Sequence, residues 1–267
     1  MRAFLFAATS ALSLCFASFA CAQDGPPVPA SAAAPAEWRL DVGGGVYTHP
    51  EYPGSDEYIA GVVPAFALSY GDILTIRPGD GARLRVLHDG DSGLEAGLTG
   101  NVRFGREESD DRRLRGLGDI DDAIEGGGYV AYKTGDWSFS ASAVTALNDS
   151  YDGVIGEFGA TWTGVTPIGL LSVGPRLRVV SDGVNESYYG IDAQQSLRSG
   201  RAQYHPSGGL QSAGVSAGLL IPLSDRFTVG GLASYERLLG DAADSPIARE
   251  GSENQLFAGV FLGYRLF

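Results

Sequence analysis

Lysine is almost missing from this 267-residue chain. Lys133 is the single example, and the basic side chains total 19 against 32 Asp and Glu, for a formal charge of −13. That balance excludes a nucleic-acid binder, which needs a basic face. Cysteine is scarce as well: Cys15 and Cys21 are the two copies, both close to the N-terminus, so no disulfide can staple the body of the chain. Beyond the N-terminus there is no apolar run of about 18 residues or more, which excludes a helical membrane span; mean hydropathy is close to zero. What is abundant is glycine, with 39 copies, together with 12 Tyr, 12 Phe and 3 Trp. Each glycine costs a helix interior about 1 kcal/mol, so the composition favours strands and turns. The aromatic content excludes disorder.

The N-terminus reads as an export signal. Arg2 supplies the positive charge, Phe4 to Phe19 form the apolar stretch, and Ala20-Cys21-Ala22 is a small-residue cleavage site before Gln23. Cleavage is expected between Ala22 and Gln23, giving a signal peptide over 1–22. A lipid-modified cysteine is disfavoured by Leu14 before Cys15 and by Phe19 two residues before Cys21. Residues 23–37, rich in Pro and Ala, form a flexible periplasmic lead-in. The remaining stretch, 38–267, is one structural unit.

From Trp38 onward the hydrophobic period is two. Trp137, Phe139, Ala141 and Ala143 alternate with Ser138, Ser140 and Ser142, and Phe227, Val229, Ala233 and Tyr235 alternate with Thr228, Ser234 and Glu236. Segments of about ten residues with this pattern are transmembrane barrel strands. A soluble β-sandwich also alternates. The barrel is favoured because the polar faces carry isolated arginines and small Ser or Gly, suited to an enclosed lumen. Aromatics at strand ends (Trp38, Tyr47, Tyr70, Phe104, Trp137, Trp162, Tyr235) also suit interface girdles. The expected fold is therefore all-β, a closed antiparallel transmembrane barrel of about twelve strands. These lie at 38–47, 58–70, 73–77, 82–88, 93–104, 126–134, 137–148, 153–165, 170–181, 208–222, 226–238 and 255–267. Parity supports twelve, since it puts both termini and every short link in the periplasm and the long links 48–57, 105–125, 182–207 and 239–254 outside. Ten remains the alternative if weak strands are loops. In the last strand the outward set ends at Leu266, and the terminal Phe267 falls on the opposite face, so its register is the least determined.

Lumenal positions collect Arg39, Arg83, Arg85, Arg103, Lys133, Arg176 and Arg178, facing Asp41, Glu95, Glu157 and Glu236. In a barrel this narrow such side chains can nearly fill the bore and pair across it; the alternative is an anion-attracting constriction. The outer link 105–125 carries Glu107, Glu108, Asp110, Asp111, Asp119, Asp121, Asp122 and Glu125 among four arginines, and reads as a solvated acidic loop. Asp119-Ile120-Asp121-Asp122 lacks the spacing of a calcium loop, so neither metal nor cofactor is expected. His49, His88 and His205 are the three histidines, and no nucleophile elbow accompanies them, so no catalytic residue is assigned.

Several segments together resemble the MipA/OmpV family, the MltA-interacting outer-membrane proteins. They are Tyr52-Pro53-Gly54-Ser55-Asp56-Glu57-Tyr58, Leu114-Arg115-Gly116-Leu117-Gly118-Asp119-Ile120-Asp121, Tyr189-Gly190-Ile191-Asp192 with Gln195-Ser196 and Ser199-Gly200, and Gly240-Asp241-Ala242-Ala243-Asp244-Ser245-Pro246-Ile247. The resemblance covers essentially the whole chain after the leader. It implies residence in a Gram-negative outer membrane, among its lipid and lipopolysaccharide. It also implies a scaffold joining a lytic transglycosylase to a murein synthase, with other members resembling porins or adhesins. It carries over no catalytic residue. Three functions stay open on sequence: a scaffold for cell-wall enzymes, a small-solute channel, and a lipid-modifying enzyme.

Overall fold

The computed structural model describes residues 37–77 and 81–267, and in it twelve antiparallel strands close into a barrel. They are β1 (Trp38–Pro50), β2 (Tyr58–Tyr70), β3 (Leu74–Arg77), β4 (Gly81–Asp89), β5 (Leu94–Arg103), β6 (Ala123–Thr134), β7 (Trp137–Ala146), β8 (Ile155–Thr166), β9 (Gly169–Val180), β10 (Gly209–Pro222), β11 (Phe227–Leu238) and β12 (Asn254–Arg265). Each pairs with its sequence neighbour, and β1 closes on β12 with Asp41 opposite Arg265 and Thr48 opposite Ala258. The leader and the lead-in expected up to residue 37 lie outside the described residues, except Glu37, whose carbonyl accepts from the Gly71 N–H at 3.0 Å.

The register carries the alternation round the wall. Glu95 lies opposite Ala131, Ala131 opposite Ser140, Ser140 opposite Gly159, Gly159 opposite Arg176, Arg176 opposite Gly214, and Gly214 opposite Glu236. Directly opposed residues share a face, so this polar and small-residue set is one ring. It is the inner ring: Ala131, Ser138, Arg178, Ser212, Ser216 and Glu236 are buried, whereas Val62, Leu98, Phe139 and Val260, on the other parity, are exposed. A β-bulge between Arg85 and Leu87 turns both Val86 and Leu87 outward before the alternation resumes. Where its strands pair, the wall satisfies its backbone internally, and its apolar outer side chains meet hydrocarbon, as an outer-membrane barrel must. No helix among the described residues is long and apolar enough to cross a membrane; the strands do so.

Short turns at 71–73, 90–93, 135–136, 167–168 and 223–226 gather with Glu37 and Phe267 at the periplasmic end, and the long segments gather at the outer end. In three respects the structure departs from the sequence expectation. β6 begins at Ala123, so Glu125 is a strand residue and not part of an outer loop. Tyr47 is not a girdle residue; it points inward, is buried, and stacks on His49 and Phe257. The outer segments are helical in part rather than plain loops. At the last strand the alternation runs through Leu266, whose N–H donates to the Leu40 carbonyl at 2.9 Å, and Phe267 sits exposed at the rim.

Candidate functional site

The long outer segments fold into a cap over the barrel mouth. It contains a 3₁₀ turn at Arg112–Leu114 and four helices, α1 (Asp182–Tyr189), α2 (Ala193–Ser199), α3 (Gly240–Asp244) and α4 (Pro246–Glu250). Local chemistry starts three of these pieces. Asp111 accepts from the Arg113 N–H at the head of the 3₁₀ turn. Asp192 and Gln195 form a reciprocal capping box on α2, which Gly200 ends in the left-handed region at φ 74°. Ser245 caps α4, with Pro246 in its first turn where a missing N–H costs nothing.

Two apolar clusters hold the cap. One joins Val184, Tyr188, Tyr189, Ala242 and Ala248 to Ile155, Val180 and Leu238 at the outer ends of the strands. The other joins Tyr52, Leu114, Leu117, Ile191 and Ile247, one residue or two from each of four segments. The run 105–125 is therefore not a solvated loop: Leu114 and Leu117 are buried, and Asp111 and Arg106 with them.

The family-motif residues are parts of this cap. The Tyr52 hydroxyl donates to Asp111 at 3.1 Å, and the Gly54 N–H donates to Gln255 Oε1 at 3.2 Å. Gly54 has φ +98° and faces Ala248 so closely that a Cβ would lie 3.4 Å from its Cα. Ser55 is fully buried, and Asp56 receives the Arg113 guanidinium. The Gly118 N–H donates to Glu108 Oε2 at 3.2 Å, and Asp119 accepts from the Glu108 N–H at 2.7 Å. Asp241 accepts from the Ser207 N–H through its carboxylate and from the Tyr204 hydroxyl through its carbonyl. Ser245 donates to the Tyr189 carbonyl at 2.7 Å.

Burial, with the Asp111 charge beside it, pushes the Tyr52 hydroxyl up to about 12. A folded-state pKa raised above the unfolded value stabilises the cap fully below pH 10, and that contribution is lost as pH rises from about 10 to 12. Proteolysis of the outer segments should accelerate across that window while the barrel stays intact, and Tyr52→Phe should flatten the dependence. An unchanged slope in the variant would assign the effect to other groups.

Below the cap the inward charges pair in layers. Arg103 binds Glu125 at 2.6 Å, and the Tyr151 hydroxyl donates to the same carboxylate at 2.8 Å. Arg178 binds Glu157 at 2.7 Å and approaches Glu236 at 3.9 Å; Arg176 approaches Glu157 at 3.9 Å, and Ser212 donates to Glu236 at 3.2 Å. Nearer the periplasm Arg85 lies between Asp72 at 3.4 Å and Glu95 at 3.9 Å, while Arg83 covers the Tyr129 ring at 5.1 Å. Asp41 pairs with Arg265 at the rim at 3.3 Å, close to Arg39, and Lys133 stands near the turn after β6. The charges thus spread over the height of the lumen, and no single ring gathers them. Sequence reasoning missed Glu125, Tyr151 and Arg265 as partners. Glu125 shares the parity of Tyr129, Ala131 and Lys133, and continuing that alternation upward would have found it.

His49 lies in β1, His88 at the periplasmic end of β4 and His205 in the cap beside Glu186 at 3.0 Å, so the three are not brought together. Between the cap and the upper charge layer is a cavity of about 70 Å³ lined by Tyr52, Arg103, Arg178, Tyr188 and Glu236. A larger one, of about 450 Å³, occupies the periplasmic half of the lumen.

The family described as MltA-interacting protein MipA matches residues 42–266, which takes in the wall and the cap together. This chain belongs to the MipA family. The MltA-interacting protein of Escherichia coli (strain K12) is 26% identical over 228 residues, spanning 84% of this chain and 89% of its own. That of Shigella flexneri aligns at the same identity and coverage. Among solved structures, an outer membrane channel from Pseudomonas putida F1 is similar with a TM-score of 0.40 at 9% identity, covering 90% of this chain and 100% of that one. An anion-selective porin from Comamonas acidovorans gives 0.32 at 13% identity, over 86% and 99%. As a MipA-family barrel with a lipid-facing wall, the protein resides in the Gram-negative outer membrane.

Proposed function

We propose that this MipA-family barrel is a membrane-bound scaffold that holds a lytic transglycosylase of the MltA kind, and with it a murein synthase, at its periplasmic end, and that it performs no chemistry itself. One observation carries the reading: the family-motif residues are used up inside the cap, and the charges of the outer half of the lumen, Arg103, Glu125, Glu157, Arg178 and Glu236, by one another. What remains for a periplasmic enzyme is the rim of short turns, where Asp72, Asp89, Asp91, Asp136 and Asp225 are all exposed. Five carboxylates on one face favour a partner with a basic surface and steer its approach. The cap, at the other end, faces lipopolysaccharide.

Pull-down of the detergent-solubilised chain against a purified transglycosylase and murein synthase should retain both above an unrelated barrel. Changing the five turn aspartates to asparagine should weaken retention and remove most of its salt dependence, because rim charges act mainly through association and salt dependence. Equal retention by the unrelated barrel would sink the proposal.

The channel reading draws support from the 450 Å³ cavity. Against it stand the cap and the charge layers across the outer half. The intact chain in a planar bilayer is therefore expected to stay near baseline conductance; steady large openings would favour the channel.

A further inference from the structure

β2 pairs with β1 along its whole length, from Tyr70 opposite Trp38 to Tyr58 opposite Pro50, yet it pairs with β3 only through Leu68, Ser69 and Tyr70. β3 has 4 residues and β2 has 13. At about 3.3 Å per residue the wall beside β2 is roughly 13 Å long against about 43 Å for β2 itself. Leu40 bonds to β12 through Leu266 and Phe267, so the odd-numbered residues of β1 bond to β2. By the same register Ala60, Val62, Pro64 and Phe66 turn their backbone groups away from β1. Among the described residues no strand pairs with them. Pro64 has no N–H to offer a ladder, and proline within a sheet belongs on such a free edge.

This edge lies between Tyr58 and Tyr70, at the depth of the hydrocarbon. An open edge there is tolerated only where it is buried in protein or lines a cavity that water can enter, and the 450 Å³ cavity, which reaches the arginines of the periplasmic end, lies behind it. The inner lining includes Val63, Ala65, Leu220 and Phe261, and Pro64 and Phe66, of the opposite parity, line the same space. The cavity therefore borders the free edge of β2. Its periplasmic end carries Arg39, Arg77, Arg226 and Arg265 against the single carboxylate of Asp41. Arg265 is taken by Asp41, and Arg226 donates to the Tyr264 hydroxyl at 3.1 Å. Arg39 and Arg77 have no carboxylate partner among the described residues.

We propose that this notch admits an acyl chain of an inner-leaflet phospholipid from the side, with the tail in the apolar cavity and the phosphate held by Arg39 and Arg77. Size and lining suit a small-molecule site, mostly apolar with a few placed polar groups. A strand from a second copy is the other occupant of a free edge, but Pro64 interrupts the ladder it would need.

The test uses the full chain in vesicles of phosphatidylethanolamine with phosphatidic acid carrying a photoactivatable group at the acyl terminus. After illumination, adducts are mapped by mass spectrometry. Adducts are expected on Val63, Ala65, Leu220 or Phe261 as well as on the outer wall. The double variant Arg39→Gln with Arg77→Gln should lose the lumenal adducts several-fold and keep the outer ones. Replacing phosphatidic acid by a diacylglycerol with the same tail should do likewise. Ala65→Trp, which fills the cavity, should remove the lumenal adducts from a barrel that still shows the shift in gel mobility of a folded one. Adducts confined to outward residues such as Val62 and Val86 would overturn the proposal. So would disulfide-linked dimers formed in high yield by Val62→Cys, since they would give the edge to a second copy.

Discussion

Arg178→Ala destabilises the barrel by about 3 kcal/mol, measured as a lowered midpoint of urea unfolding from phospholipid vesicles followed by tryptophan fluorescence. Arg178 is the cation between Glu157 and Glu236, at 2.7 and 3.9 Å. Removing one partner of a buried ion pair typically costs 3–5 kcal/mol, because it leaves the other charge uncompensated. The lower end applies here, since the Glu157 side chain keeps 27% of its exposure and Arg176 lies 3.9 Å away as a second cation. Arg178→Lys should lose less, keeping the charge but not the fork that reaches both acids. The triple replacement of Arg178 by Met, Glu157 by Gln and Glu236 by Gln should recover most of the loss. Full stability in Arg178→Ala alone would mean that the layer is hydrated and contributes nothing.

This arrangement also explains what could be read from the sequence and what could not. The strands were legible because each obeys one local rule: in β11, Phe227, Val229, Ala233 and Tyr235 face lipid while Thr228, Ser234 and Glu236 face the lumen. Parity of long and short links then fixed the count, even though β3 holds only Leu74–Arg77. Tyr47 was misplaced because an aromatic near a strand end has the same residue type whether it joins a girdle or the lumen, and only register separates them. Glu125 was hidden inside an acidic run, where composition outweighed the alternation that it continues. The cap was illegible for a deeper reason. Its core takes Tyr52, Leu114, Ile191 and Ile247 from segments far apart in the chain, with no period to mark any of them. The motif segments identified the family without revealing that they touch. Gly54 and Ala248, or Ser245 and Tyr189, become neighbours only once the wall has brought the loop ends together. The periplasmic rim was legible in position but not in role, since exposed aspartates in tight turns satisfy turn chemistry whether or not a partner binds them.

Leu114→Asp unpacks the cap from within. Leu114 is fully buried between Tyr52, Leu117, Ile191 and Ile247, and an ionised carboxylate placed there has no cation within the cluster. Loss of the side-chain burial alone costs about 2–5 kcal/mol, and burying the charge adds to it. A cap of short helices and turns cannot absorb that penalty, whereas the wall, held by a closed ladder of backbone bonds in lipid, does not depend on Leu114. The expected outcome is therefore local: rapid cleavage within 105–125 and 182–207 by external protease, with the folded barrel unchanged by gel mobility and strand content. Conductance decides what the cap is for. Should openings appear in Leu114→Asp and not in the parent chain, the cap is the barrier, and the charge layers of Arg103, Glu125, Arg178 and Glu236 leave a passable bore. Should the variant stay silent with its cap cleaved, those layers seal the lumen by themselves. The outer mouth then has no part in transport, and periplasmic scaffolding is the reading left standing. Leu114→Met, similar in volume and uncharged, should leave both protease resistance and conductance at parent levels; if it behaves like the aspartate variant, the disruption is steric and the charge argument is wrong.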